Sequence, residues 1–387
     1  MSMGSRAEVL GRLRGRYQGA GRGYRRRLIQ QLSEVCGYER KYAIKLLTGN
    51  RPGPRGRKRG GCSSRYGPAE KKVIGQLWRR SDYPCGKRLV AVLRLWLPSY
   101  ERRYGALEPS VRENLERVSP ATLDRLTAVW RIALRMRRGG TKPGSLLRSQ
   151  IPVQYGTWKV DRPGYLEADV VEHGGASASG DYLHSITCTD IYSGWVEQAV
   201  VWNKGASQVL ARIREIEQDL PFPLLGFDCD NGAEFLNHHL WRYLRRRPDP
   251  VAFTRSRAYH KNDNAHVEQK NWSKVRLLLG YERYDRPELL APVQELYRHA
   301  WRLLQNFFQP VLKLQRKERR GARLYKRYDQ PQTPAERLLA WPGLATDKRL
   351  WLEQLQRTLD PISLQEQVMR QQQYIRRLLQ KRRRNAA

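Results

Sequence analysis

The chain has 387 residues, with 73 Lys and Arg against 37 Asp and Glu, a formal net charge of +36 and a pI near 10.5. Forty per cent apolar residues, among them 11 Trp and 20 Tyr, are enough for real cores, and the length suggests more than one domain. Charge of this sign and size is the footprint of phosphate neutralisation; a membrane role is set aside, because no apolar run long enough to span a bilayer and no signal-peptide core appear, so a cytoplasmic, nucleoid-associated protein is expected.

Residues 1–50 are the first module. In "YRRRLIQQLSEVCGYERKYAIKLL" (24–47), Leu28, Leu32 and Val35 form one helical stripe, and Tyr42, Ala43, Leu46 and Leu47 form another. Gly37 between them supplies a tight turn, so the segment reads as helix-turn-helix. Its second helix turns Glu39, Arg40, Lys41 and Lys45 outward, as suits a major groove; an ordinary helical hairpin with a solvated basic face is the alternative. Residues 1–66 carry 17 Lys and Arg against three Glu, which favours DNA. Residues 51–66 are a basic Gly/Pro/Arg linker with almost nothing to bury. Within it Arg55, Arg57 and Lys58 resemble a minor-groove arm of the AT-hook kind; a plain linker is the equal alternative.

Residues 67–137 read as a second helical, DNA-binding module. Its helices are "PAEKKVIGQLWRR", "GKRLVAVLRLWL" and "SPATLDRLTAVWRIALRM", the last with Ser119 as N-cap and Pro120 in the first turn. Residues 138–159 are a second linker. The period then changes. "GYLEADVVEH", "DYLHSITCTDIYSG" and "WVEQAVVW" read as strands, "ASQVLARIREIEQDL" as a helix with Val209, Leu210, Ile213 and Ile216 on one face, and "PLLGFDCD" as a short buried strand. A helix near 234–246, a strand "VAFTRS" and a helix from about 263 follow. Strands leading into alternating α/β units give a mixed sheet covered by helices. Residues 286–387 read as mostly helical and basic. The last helix, 361–380, carries Ile362, Leu364, Val368, Ile375 and Leu378 as a stripe that packs within its own domain or pairs with another protomer.

Residues 160–285 hold 15 Lys and Arg against 18 Asp and Glu, so a carboxylate-rich middle sits between basic flanks. "GFDCDNGAEF" (226–235) gathers three acids around an Asn-Gly turn. Like charges lose solvation and repel when drawn together, which leaves a cation, a shared proton or a solvated loop end. Asp169, inside an otherwise apolar strand, is costly in the same way. Glu268 lies on the helix "DNAHVEQKNWSKVRLLLG" on one stripe with Asn264 and Trp272. Asp228 and Asp230 share a strand face, so alternation cannot separate them; position at the strand end favours Asp230. Glu172, Asp190 and Glu234 read as solvated or structural. His173, His184, His260 and His266 lack metal spacing. Lys270 and Lys274 are candidate phosphate contacts on an exposed helix. The five cysteines are scattered without a C-x-x-C pair, so neither a disulfide framework nor a zinc knuckle is indicated.

An Asp in the first strand, "DNG" after the fourth and a Glu on a following helix resemble the DDE transposases and retroviral integrases. Thirty-seven residues separate Asp230 from Glu268, and "FTRSRAYHKNDNAHVEQKNWSKVR" is similar to the integrase-type transposases of bacterial insertion sequences. The zinc-binding N-terminal domain of the retroviral enzymes has no counterpart, since all seven histidines lie beyond residue 170. The resemblance implies a multidomain α plus α/β protein: a ribonuclease H-like mixed sheet over 160–285, flanked by helical modules. It implies Asp169, Asp230 and Glu268 as catalytic, metal-holding residues for two Mg²⁺ (or Mn²⁺) ions and no small-molecule cofactor. Hydrolysis at transposon ends and transfer of the 3′-hydroxyls to target DNA would follow, by a homo-oligomer assembled on DNA. A catalytically silent DNA-binding regulator and a structure-specific nuclease of the same fold are the alternatives.

Overall fold

Gly37 does what its position predicts: it closes the helix before it in the left-handed conformation (φ 69°), and its N–H donates to the Ser33 carbonyl at 2.9 Å. The computed structural model describes residues 3–49, 66–133, 160–177, 179–229, 234–235, 237–255, 271–320 and 323–385. The chain divides into two units, 1–65 and 66–387.

In the first unit α1 (Met3–Gln18), α2 (Arg22–Cys36) and α3 (Arg40–Leu47) enclose a small core of Leu13, Leu28, Ile29, Leu32, Cys36, Ala43 and Leu47. The expected stripes are shifted. Val35 and Tyr42 are 48% and 49% exposed, while Ile29 and Cys36 take the inward positions. The reason is α1, whose glycine-interrupted sequence gives no clear period, yet which contributes Leu13 to this core. Arg40, Lys41 and Lys45 are exposed on α3, as expected.

The second unit is built on a five-stranded sheet: β1 (Tyr165–Glu172), β2 (Leu183–Asp190), β3 (Val196–Trp202), β4 (Gly226–Cys229) and β5 (Ala252–Arg255), in the order β3-β2-β1-β4-β5. The first three strands pair antiparallel, whereas β4 and β5 join parallel to β1 and to one another. This mixed sheet flanked by helices fits the integrase-like core that the resemblance implies. Gly164 starts β1 at φ 117°, and a Cβ there would meet the Pro223 carbonyl at 2.5 Å. Its own carbonyl accepts from Leu225 and Gly226 N–H (2.8 and 3.0 Å), so a glycine admits β4 beside β1.

Helix α8 (Ala206–Asp219) buries Val209, Ile213 and Ile216 and packs on β3. Asn237 caps α9 (His238–Arg245) by accepting from two backbone N–H groups. The open edge of β3 is closed by side chains. Asn306, on a helical run over 287–308, accepts from Val196 N–H (2.9 Å) and donates to its carbonyl (2.8 Å), and Gln294 accepts from Val200 N–H (2.8 Å). These amides stand in for a neighbouring strand and remove a template for aggregation.

One expectation is corrected. Helices α4 (Pro68–Arg80), α5 (Gly86–Tyr104), α6 (Pro109–Glu116) and α7 (Pro120–Ala133) form no separate module, since their core is continuous with that of the sheet and the C-terminal helices. Trp96 of α5 donates to the Phe308 carbonyl (3.1 Å), and Arg94 and Arg102 pair with Glu336 (2.5 Å) and Asp360 (3.1 Å). Helix α5 buries Leu89, Ala91, Val92, Leu93, Trp96, Leu97 and Tyr100, too many for one face, so it is covered on more than one side. The C-terminal region is mostly helical and also carries a hairpin. A hairpin of β6 (Leu314–Arg320) and β7 (Arg323–Tyr328) precedes helices Pro334–Ala340, Thr346–Thr358 and Pro361–Asn385. Ile362, Leu364, Val368 and Ile375 of the last helix are buried within this same unit.

Candidate active site

Strands β1 and β4 lie side by side in the middle of the sheet, in the register Glu167↔Asp228 and Ala168↔Cys229. Because partners across a ladder share a face and strand side chains alternate, Glu167, Asp169 and Asp228 belong to one face of the sheet. Leu166, Ala168 and Val171 around Asp169 are buried, whereas Asp169 itself is part-exposed. One of its oxygens accepts from the N–H of Val170 at 2.8 Å. On its other side Asp169 is in register with Thr187 of β2.

Asp228 is in a different state. It is 4% exposed and accepts from the Thr254 hydroxyl of β5 at 2.6 Å, opposite the equally buried Glu167. A carboxylate held inside the sheet by a neighbouring strand's hydroxyl reads as part of the sheet's own polar bonding. Asp230, two residues further on, lies outside the described residues, as do Glu268, Lys270, Arg55, Arg57 and Lys58. Among the described residues no group of three His, Cys, Asp or Glu is set to hold a metal ion. The donors that are described do suit a hard cation: Asp169 offers carboxylate oxygen at a partly open position. Cys229, one residue from Asp228, belongs to the opposite face of the strand and directs its thiol to the Thr254 carbonyl.

Lys274 overturns its expectation. The sequence pattern predicts an exposed phosphate contact, yet the residue is 6% exposed on the helical turn Asn271–Arg276. Its ammonium donates to the Gln309 side-chain oxygen, and the Gln309 amide donates to Asp82 at 2.7 Å. Burial pulls the Lys274 pKa down to about 7 against the opposing pull of Asp82, while burial pushes the Asp82 carboxyl up. The 3.6-residue stripe cannot reveal this, because Asp82, in the turn between α4 and α5, and Gln309, just after the 287–308 run, are distant in the chain.

Asp190 and Glu172 are tied to groups of the protein itself. Asp190 is fully buried and accepts from Gly164 N–H (2.9 Å) and from Ser193 N–H and hydroxyl (both 2.6 Å), closing the β2–β3 turn. Glu172 pairs with Lys204 at the surface. His173 donates to or accepts from the Ser185 hydroxyl (2.7 Å), which is bonded to the Tyr297 hydroxyl (2.7 Å), and burial holds it neutral with a pKa near 3. His184 is held to about 4, again chiefly by burial. The sequence reading missed two features, Glu167 beside Asp228 and the Thr254 tether, because strand adjacency has no local signal.

No protein-family model matches the chain. The protein is 38% identical over 343 residues to the uncharacterized protein y4rM of Sinorhizobium fredii, covering 87% of this chain and 96% of that one. Among solved structures it is similar to the catalytic core domain of BIV integrase, with 19% identity, 45% of this chain and 91% of that chain covered and a TM-score of 0.27. It is also similar to a simian T-cell lymphotropic virus intasome in complex with the PP2A regulatory subunit B56 gamma, with 12% identity, 47% and 59% covered and a TM-score of 0.26. At those scores the functional reading rests on the chain's own sheet and residues. The chain belongs to the y4rM family.

Proposed function

We propose that this member of the y4rM family is a DDE transposase, which hydrolyses phosphodiesters at transposon ends and transfers the 3′-hydroxyls to target DNA. The observation that carries the reading is the β1–β4 register. Two parallel strands are paired as far as Ala168↔Cys229, and in the sequence each of these residues is followed by an aspartate, Asp169 and Asp230. Asp169 is thereby a partly open carboxylate on a central strand, one position beyond a register pair whose other strand continues in sequence with a second acid. That placement is expensive for a fold and useful for holding divalent cations.

Asp169, Asp230 and Glu268 would hold Mg²⁺ or Mn²⁺ through oxygen alone. Bound there, two such ions would activate the attacking oxygen and stabilise the leaving one. The chain's own part is to fix the carboxylates: β1 does so for Asp169 through a strand buried on both sides. The basic residues Arg40, Lys41 and Lys45, exposed on α3, would contact end DNA, because the net charge of the 160–285 segment is slightly negative and offers no field for a polyanion. Duplex ends are then delivered by the flanks, and an oligomer on DNA follows if one protomer binds an end that another cuts. Inverted repeats flanking the gene would support the reading independently.

The test is strand transfer by the full chain on end DNA with Mg²⁺. Asp169→Asn and Asp230→Asn should each lower it by more than about 100-fold, the upper range for loss of a ligand's outer partner, with end binding retained. An active Asp230→Asn alongside a dead Asp228→Asn would overturn the assignment. Cleavage of branched DNA without any strand transfer would indicate the nuclease instead.

A further inference from the structure

The β6–β7 hairpin takes no part in the site described above. Its fifteen positions, 314–328, carry seven Lys and Arg against one Glu. The register sets like charges directly opposite one another: Arg316↔Arg327, Lys317↔Lys326 and Arg320↔Arg323. Such pairs destabilise a ladder, and a two-stranded ribbon is at best marginal by itself. Lys326 and Arg327 follow one another on β7, so strand alternation puts them on opposite faces, and both faces of the ribbon carry a basic residue. Arg316, Lys326 and Arg327 are exposed, the Arg316 side chain at 70%. Tyr325 and Tyr328 are exposed as well.

The base of the ribbon, by contrast, is fixed. Lys313 N–H donates to the Asp329 carboxylate (2.7 Å) and Asp329 N–H to the Lys313 carbonyl (2.9 Å). Arg337 pairs with the same carboxylate at 2.7 Å, and the Lys313 ammonium donates to the Ile191 carbonyl (2.6 Å) next to the β2–β3 turn. A fixed root and a strongly basic blade, in which Arg316 has Glu318 as a loose partner at 3.5 Å, make an arm.

Edge protection is the plainer reading, since charged residues keep open strands from pairing with other chains. It requires a charge of either sign at the edges. It does not require one sign on both faces, nor opposed like charges, which cost stability without adding protection. An element inserted between two phosphate backbones needs that arrangement, and the major groove of B-DNA admits a two-stranded ribbon.

We infer that the β6–β7 ribbon is a DNA-contacting arm, which enters the major groove of a duplex and neutralises phosphates on both sides. The identity of the polyanion as duplex DNA rests on the function proposed above; the surface does not. The arm is separate from α3 and would give the second unit a DNA contact of its own.

The experiment is the salt dependence of binding by the full chain to a short duplex of arbitrary sequence, for the wild type and for Arg316→Ala/Lys326→Ala/Arg327→Ala. Three lost phosphate contacts should flatten the plot of log affinity against log salt by about 2.7. Between 50 and 200 mM salt the variant should then lose roughly 40-fold less affinity than the wild type. Arg316→Lys/Arg327→Lys should keep the wild-type slope. If the triple variant does not fold, each single alanine variant should flatten the slope by about 0.9. A slope unchanged in all of them overturns the inference and leaves edge protection. So does a loss confined to single-stranded RNA of the same length. An unchanged slope with strand transfer intact removes the arm alone, while a flattened slope in a protein without strand transfer removes the transposase reading and keeps the arm.

Discussion

The sheet holds carboxylates in two regions that solve the same problem oppositely. At the β2–β3 end, Asp190 and Glu197 are fully buried and answered by the protein itself. Glu197 accepts both from Arg302 (2.8 Å to each oxygen) and from the Trp195 indole (2.7 Å), and burial still pushes its pKa up. At the β1–β4 centre, Asp169 is part-exposed and accepts from the next N–H along its own strand. An acid whose donors come from packed neighbours belongs to the scaffold. An acid at a central strand that keeps an open side is available to a ligand. Burial separates the two roles where residue type does not.

The largest effect that would break this contrast is on stability. Arg302→Ala leaves Glu197 buried without its partner, which costs about 3–5 kcal/mol, measured by urea unfolding; strand transfer per folded molecule should persist. A stable Arg302→Ala would show that the β2–β3 acids are not held as described. Asp228→Asn is intermediate. It perturbs the bond to Thr254 and should cost about 1–3 kcal/mol while activity survives, so an inactive but fully stable variant would move Asp228 into the catalytic group. Lys274 tests burial of a cation. With its folded pKa near 7, the unfolded chain binds the extra proton between about pH 7 and the ordinary lysine value. Stability therefore rises with pH across that window, and Lys274→Met should flatten the rise in unfolding free energy. An equal slope in the variant would place the ammonium in contact with water. Least of all, Asp169→Asn should shift stability by less than about 0.5 kcal/mol while removing activity. A large loss of stability there would make Asp169 one more scaffold acid.

By itself the sequence determined the elements and marked the unusual residue. The alternating runs are β1, β2 and β3, the stripe Val209, Ile213 and Ile216 is the buried face of α8, Gly37 closes α2, and Ser119 caps α7 by accepting from Thr122 N–H (3.2 Å). Asp169 stood out because a charge in an apolar strand is costly wherever that strand goes. Only the tertiary structure decided what covers each face. It placed β4 beside β1 and so set Glu167 opposite Asp228, drew Lys274 under Gln309 and Asp82, turned Val35 outward in favour of Cys36, and joined α4–α7 to the helices beyond residue 287. It also raised a basic hairpin from a stretch with no turn signal strong enough to mark one. The physical reason is range. Periodicity within a window reports that an element has an inward side, because each side chain's direction is set by its own backbone. Which element meets that side depends on contacts between residues far apart in the chain, whose free energy is set by packing and loop closure across the whole unit and leaves no local pattern.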